Sequence, residues 1–174
     1  MRAVIMAGGR GTRLAPFTRV LPKPLIPFGD HPILEIIICQ LRKAGFTDIT
    51  LTLGYLSHLF EAYFSNGERL GVNIEYTYED TPLGTAGPLS LIERLDEPFL
   101  LMNGDLLTDL DFAEMYNYHL QQDAVITMGL QSRRIDIEFG VIDVDQDSRI
   151  IACRERPSIT TSSIWASTLS RRKP

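Results

Sequence analysis

The sequence predicts an α/β fold with a mainly parallel central sheet. Short apolar or alternating segments typical of strands recur along the chain, and segments with helical spacing separate them. A chain of 174 residues, 44% hydrophobic and 22% charged, is also long enough to form one domain with a sizeable core. Alternation of strands and helices is typical of a sheet whose strands are mostly parallel.

The strands are predicted from apolar runs and from alternation. The run AVIMA ends at Gly8 and Gly9, DITLTLG alternates, and PFLLMNGD is an apolar run that leads into a turn. The predicted strands are residues 3–7, 48–54, 72–79, 98–105, 124–131, 139–144 and 149–153.

The helices are predicted from spacing and from their start and stop residues. Pro32 begins the first helix and Gly45 ends it, while Asp111 has the residue type of an N-cap for the last. The predicted helices are residues 32–45, 57–67, 85–95 and about 111–122.

The end of the chain breaks this pattern. Residues 158–174 contain eight Ser or Thr and no acidic residue, and show neither strand nor helix periodicity. Composition alone predicts a disordered tail that follows a domain of residues 1–157.

Charge is unevenly distributed along the chain. The net charge of −5 argues against nucleic acid or an anionic membrane as partner. Residues 1–29, in contrast, contain no acid and five basic residues, which predicts a site for a small anion: Arg2, Arg10, Arg13, Arg19 and Lys23. The N-terminal apolar stretch is too short for a signal peptide, and no run is long enough to cross a membrane, so a cytoplasmic location is expected.

The glycine-rich stretch after the first strand matches neither of two familiar phosphate-binding patterns. A P-loop needs Lys followed by Ser or Thr after its last glycine, whereas Gly11 is followed by Thr12 and Arg13. The dinucleotide pattern that would begin at Gly9 has Leu14 in place of its third glycine. A tight turn with solvated arginines is therefore one interpretation, and a different phosphate-binding loop is the other.

The stretch GGRGTRLAPFTRVLPKPLIPFGDHPILE favours the second interpretation, because as a unit it resembles the signature of the sugar-1-phosphate nucleotidylyltransferases. The resemblance runs from Met1 to about Pro157 and implies a Rossmann-like, three-layer α/β domain with a mixed sheet. Such enzymes join a nucleoside triphosphate to a sugar 1-phosphate and release pyrophosphate. The resemblance implies that Arg13 and Lys23 are catalytic and that the loop around them binds the nucleotide through Ala7, Gly8, Gly9, Gly11 and Thr12.

The stretch YEDTPLGTAGPL resembles the family's base- and ribose-recognition loop, with Glu79, Gly84 and Thr85 as nucleotide-binding residues. A carboxylate only accepts hydrogen bonds, and guanine presents two adjacent donors, so Glu79 favours guanine. The stretch also looks like the mannose-1-phosphate guanylyltransferase branch. GTP with mannose 1-phosphate is thus the predicted pair, and dTTP with glucose 1-phosphate is the alternative.

Two further stretches resemble the family's remaining sites. In LLMNGDLLTDLDF, the resemblance implies that Asp105 is a ligand of catalytic Mg²⁺. In FGVIDVDQDSRIIACRERP, it implies that Gly140, Glu155 and Arg156 bind the sugar phosphate, although Arg156 stands where the family usually has lysine.

Beyond Pro157 the resemblance is lost. The residues after Ser158 can be written in codons that spell a family-like strand in another reading frame, which suggests a frameshift near residues 158–161. The sequence therefore leaves open a truncated, non-catalytic nucleotide-binding homologue, and it leaves the oligomeric state open, a homo-oligomer included.

Overall fold

A computed structural model describes residues 1–81, 83–84 and 86–170 of the chain, with side chains described as far as residue 162. The chain forms two compact units. The first contains residues 1–129 and the end of the chain from residue 166, and the second is Leu130–Trp165.

The described residues form ten strands and three α-helices. The strands are β1 (Arg2–Met6), β2 (Pro27–Phe28), β3 (His31–Pro32), β4 (Asp48–Leu53), β5 (Asn73–Tyr78), β6 (Phe99–Asn103), β7 (Ile126–Asp136), β8 (Val141–Val144), β9 (Ile150–Arg154) and β10 (Ser158–Ser170). The helices are α1 (Ile33–Lys43), α2 (Ser57–Phe64) and α3 (Phe112–Gln121). Among the described residues, no helix has the length and apolar character needed to cross a membrane.

The main sheet has the order β5-β4-β1-β6-β10-β7. Strands β5, β4, β1 and β6 are parallel, with Arg2 of β1 opposite Asp48 on one side and Phe99 on the other. Strand β10 pairs antiparallel with β6. The predicted α/β fold with a mainly parallel, mixed sheet is confirmed.

The core forms where α1 packs with the central strands. Helix α1 has apolar residues at positions i, i+3, i+4 and i+7, which lie on one face of the helix. Four of them, Leu34, Ile37, Ile38 and Leu41, are fully buried, as are Ala3 and Ile5 of β1. This buried frame fixes the carboxyl ends of β1, β4 and β6, from which the loops described below emerge.

The helix predicted at residues 85–95 is wrong. Among the described residues of that range, 86–95, the structure has only a short 3₁₀ segment, Gly87–Leu91, which Ile92 ends in an extended conformation. Pro88 and Gly87 are poor residues for a helix interior, and Arg94 lies in the left-handed region with φ of 59°. Apolar spacing alone did not reveal these interruptions.

The structure also differs from the prediction of a disordered tail. Residues 158–170 form β10, and Thr168–Ser170 pair with Phe99–Leu101 of β6. The edge of β6 supplies backbone partners that composition does not show. Residues 171–174 lie outside the described residues, and the division at residue 157 stays a prediction.

The second unit contains a two-stranded antiparallel sheet of β8 and β9. Val141 lies opposite Arg154, and Asp143 pairs with Arg154 at 2.8 Å. Ile137 N–H donates to the carbonyl of Pro157 at 3.0 Å, which joins the two ends of this unit. The predicted strands at 139–144 and 149–153 are thus confirmed with small shifts.

Candidate active site

A cleft of about 850 Å³ lies in the first unit where the loops that follow β1, β4, β5 and β6 meet. This is the edge at which open α/β sheets bind ligands. Most of the residues predicted to bind nucleotide or metal line the cleft: Ala7, Gly8, Gly9, Gly11, Arg13, Lys23, Glu79, Gly84 and Asp105. Thr12 lies in the adjoining 3₁₀ turn Thr12–Leu14, and Thr85 falls outside the described residues.

Glycines at two strand ends allow their backbones to touch. A Cβ on Gly54 would lie 3.0 Å from the carbonyl oxygen of Gly8, and a Cβ on Gly8 would lie 2.6 Å from Oε1 of Glu79. Any other residue at Gly8 would therefore displace the Glu79 carboxylate. The loops after β1, β4 and β5 are consequently packed together at the floor of the cleft.

The loop after β1 carries Arg10 and Arg13, and it turns at Gly11, whose backbone is in the left-handed conformation. Gly11 has φ of 60°, and its carbonyl accepts a 2.9 Å hydrogen bond from the buried Thr18 hydroxyl. The turn Thr12–Leu14 that follows carries Arg13, which is exposed and makes no ion pair with any described residue. Its guanidinium is therefore available to an anion in the cleft.

Lys23 and Asp105 form an ion pair within the cleft. Lys23 begins a 3₁₀ turn directly after Pro22, and Asp105 follows β6. Gly104 has little room, since a Cβ there would lie 3.3 Å from both Ile5 and Pro24 side chains. This packing holds Asp105 next to the turn that carries Lys23.

Asp105, the predicted ligand of Mg²⁺, lies in the cleft next to Lys23. The described residues contain no group of three or more His, Cys, Asp or Glu side chains that could enclose a metal ion. Magnesium commonly uses one or two carboxylates and completes its shell with water and substrate phosphates. The Asp105 carboxylate, in a cleft of about 850 Å³, therefore fits a Mg²⁺ ion whose remaining ligands are water and substrate phosphates.

Glu79 closes the loop that follows β5. Its backbone N–H donates to Leu53 at 2.8 Å, and its Oε2 accepts a 3.1 Å hydrogen bond from Leu83 N–H. A carboxylate has about four acceptor positions, so this bond leaves capacity for further donors. Gly84, with φ of 82°, follows in the left-handed region and lines the same cleft.

The residues predicted to bind sugar phosphate belong to the second unit. A Cβ on Gly140 would lie 3.4 Å from Oε2 of Glu155, so these two residues are adjacent. Arg156 has φ of 43°, and its Nε lies 3.9 Å from Oε1 of Glu155. Both charged side chains are strongly exposed, so their ion pair contributes little to stability.

A second charged cluster lies outside the cleft lining. The buried carboxylate of Glu35 accepts from Arg69 at 2.7 Å and from the Tyr63 hydroxyl at 2.9 Å, and it pairs with His31 at 2.8 Å. Burial raises the pKa of Glu35, but the hydrogen bonds from Arg69 and Tyr63 outweigh burial and the net pKa is lowered. This cluster joins α1 to α2 and to the turn Glu68–Leu70.

A model of a known protein family matches nearly the whole chain. The family model described as nucleotidyl transferase matches residues 2–169, which includes most of β10. The chain belongs to this family.

The curated relatives of this chain have names that give different substrates. The chain is 38% identical over 168 residues to the mannose-1-phosphate guanylyltransferase catalytic subunit beta of Danio rerio, covering 93% of this chain and 47% of that protein. It is 32% identical over 174 residues to the UTP–glucose-1-phosphate uridylyltransferase of Synechocystis sp., covering 91% of this chain and 45% of that protein. The chain thus spans about half the length of the curated relatives it matches.

A solved structure supports the fold. The crystal structure of HddC from Yersinia pseudotuberculosis complexed with GMP-PN matches with a TM-score of 0.70 at 23% identity, covering 98% of this chain and 76% of that one.

Several residues that line the cleft were not predicted from the sequence. They include Gly54, Tyr55, Asp80 and Asn103. Gly54 and Tyr55 directly follow β4, and Asn103 ends β6. Because ligands bind at the carboxyl ends of parallel strands, those positions were detectable from the predicted strands alone.

Proposed function

We propose that the protein transfers a nucleotidyl group from a nucleoside triphosphate to a sugar 1-phosphate, giving an NDP-sugar and pyrophosphate. The observation that carries this proposal is the single cleft lined by the glycine-rich loop, Arg13, Lys23, Glu79 and Asp105. Backbone, cations and carboxylates in one cleft are what a polyphosphate, a base and a divalent ion require.

In the proposed reaction, an oxygen of the sugar 1-phosphate attacks the α-phosphorus of the triphosphate. The new phosphorus–oxygen bond forms as the bond to the oxygen bridging the α- and β-phosphorus breaks, and pyrophosphate leaves with that oxygen and its electron pair. No covalent enzyme intermediate is required. Catalysis then consists mostly of positioning and charge neutralisation.

Arg13 and Lys23 have separate proposed tasks. Arg13 is exposed and carries no ion pair with a described residue, so its planar fork is suited to bind the β- and γ-phosphate oxygens. Lys23 is held by Asp105 and supplies a point charge near the α-phosphate. Together they would stabilise the charge that develops on departing pyrophosphate.

Asp105 is the proposed ligand of Mg²⁺, which when bound supplies neutralising charge to the phosphates. Because its carboxylate pairs with Lys23, a cation that binds Asp105 competes with that ammonium group. Release from Asp105 would let Lys23 turn towards phosphate.

GTP and mannose 1-phosphate are the proposed substrates. Glu79 supports guanine, since its carboxylate has acceptor capacity beyond the bond from Leu83 N–H and guanine offers N1–H and its 2-amino group side by side. Gly140, Glu155 and Arg156 are proposed for the sugar phosphate on the basis of the resemblance.

Calorimetric titration of the chain with GTP, dTTP, UTP and ATP in the presence of Mg²⁺ tests this proposal. Tightest binding of GTP is expected, and Glu79→Gln should weaken GTP more than dTTP, because an amide donates where guanine also donates. Preference for dTTP in the wild type would favour the thymidylyl alternative. Absence of binding by all four nucleotides would contradict the proposal.

A further inference from the structure

Tyr55 joins two of the loops that meet at the cleft. Its hydroxyl donates a 2.9 Å hydrogen bond to the carbonyl oxygen of Arg19, and Tyr55 itself lines the cleft. Arg19 ends the 3₁₀ turn Phe17–Arg19, which lies between the two proposed phosphate-binding cations, Arg13 and Lys23. The bond therefore joins the loop after β4 to the loop after β1.

The segment that Tyr55 contacts has few other restraints. Residues 8–22 are mostly exposed, and the hydrogen bonds within them are local, such as Thr18 to Gly11 and Leu14 to Gly11. Apart from the local turn bond from Leu25 N–H to the Pro22 carbonyl, the Tyr55 bond is the one hydrogen bond that joins residues 8–22 to the rest of the residues that the structure describes. A segment with few buried contacts opens readily unless it is tethered.

The loop after β4 is built to present this tyrosine. Gly54 packs on the backbone of Gly8 with no room for a side chain, which brings the two loops together. Leu56 adopts a left-handed conformation with φ of 56°, an unfavourable choice for leucine, as α2 begins. Tyr55 lies between these two residues, whose backbones are constrained.

We propose that Tyr55 is a positioning residue that holds residues 8–22 against the cleft, so that Arg13 is placed for the triphosphate before it binds. The expected effect on nucleotide binding rests on the proposed function, whereas the expected effect on tryptic cleavage does not. Preorganisation of this kind raises affinity, because less conformational freedom is lost on binding.

Tyr55→Phe tests the proposal, because it removes only the hydroxyl and keeps the ring in the cleft. Tyr76→Phe is the matched control, since the Tyr76 hydroxyl also donates to a backbone carbonyl, that of Ser65 at 2.6 Å, and Tyr76 does not line the cleft. Limited trypsin digestion reports opening of the segment without any nucleotide. Cleavage after Arg19 attacks the same carbonyl that Tyr55 holds, and cleavage after Arg42 reports unfolding of α1.

Loss of one hydrogen bond corresponds to about a two- to tenfold change in an equilibrium constant. We expect Tyr55→Phe to speed cleavage after Arg19 by this factor, with no change after Arg42, and to weaken binding of GTP with Mg²⁺ by a similar factor. Tyr76→Phe should change neither quantity selectively.

Equal cleavage after Arg19 in wild type and Tyr55→Phe would overturn the inference, as would equal changes in the two variants. Faster cleavage without weaker GTP binding would overturn its nucleotide part. If the wild-type chain binds no nucleotide, the proposed function fails, and the cleavage comparison still decides whether Tyr55 holds the segment.

Discussion

Replacement of Gly8 by alanine tests the close packing of the glycine-rich loop on Glu79. The added Cβ would lie 2.6 Å from Oε1 of Glu79, where ordinary contacts begin at 3.4 Å, so the carboxylate must move by about 1 Å. That movement breaks the hydrogen bond from Leu83 N–H to Oε2. Outside its chain neighbours, no atom of the described residues lies within 4 Å of a Cβ on Gly9, so Gly9→Ala is a matched control in the same loop.

The expected cost of Gly8→Ala follows from these contacts. A lost hydrogen bond costs about 0.5–1.5 kcal/mol, and crowding adds to this, although the flexible end of Glu79 can absorb part of it. We therefore expect the free energy of unfolding to fall by about 1–2 kcal/mol relative to Gly9→Ala. Both substitutions stiffen the unfolded chain to the same extent, so their difference isolates the contact.

Urea unfolding of the two variants, alone and combined with Glu79→Ala, measures this cost. Once Glu79 is truncated, Gly8→Ala should cost less than about 0.5 kcal/mol, which gives a coupling energy near 1 kcal/mol. The reasoning is refuted if Gly8→Ala and Gly9→Ala are equally stable, or if the cost of Gly8→Ala is unchanged without the Glu79 carboxylate.

Three further predictions concern individual side chains. Arg13→Ala should lower the rate of pyrophosphate release by about 100-fold or more. Because the side chain is exposed, the free energy of unfolding should stay within about 0.5 kcal/mol of wild type. An unchanged rate of release would contradict the proposed role of Arg13. Asp105→Asn should raise the Mg²⁺ concentration needed for half-maximal pyrophosphate release, and an unchanged Mg²⁺ dependence would contradict its role as ligand. The lowered pKa of Glu35 stabilises the fold above its ordinary value of 4.5, and this stabilisation is lost as pH falls through the folded pKa. Wild type should therefore lose more stability than Glu35→Gln between about pH 6 and about pH 3 in urea unfolding, and parallel losses would contradict the assignment.

The elements that were predicted correctly are those in which the hydrophobic pattern of the sequence corresponds to the residues that are buried in the structure. Helix α1 was found from its apolar spacing and its start and stop residues, β1 and β6 from their apolar runs, and β4 from its alternation. The predicted helix at 85–95 failed because apolar spacing gave no account of Gly87 and Pro88.

The tail shows a limit of a different kind. Pairing of β10 with β6 joins residues almost 70 positions apart, and composition carries no information on such pairing. The frameshift stays a prediction, and sequencing of the DNA from the codon of Glu155 onwards tests it.

The candidate site was predictable where a motif supplied it. Arg13, Lys23 and Asp105 came from stretches that resemble the family, and the structure places them in one cleft. The ion pair between Lys23 and Asp105 and the bond from Tyr55 to Arg19 were not predictable, because each joins loops that only the folded sheet brings together.

The measurement that tests the central claim most directly is pyrophosphate release by this chain from GTP and Mg²⁺, with and without mannose 1-phosphate. The account predicts release that requires the sugar phosphate and falls at least about 100-fold in Arg13→Ala. Binding of GTP without release would favour a non-catalytic nucleotide-binding homologue. Neither binding nor release, from a chain shown to be folded, would contradict the account.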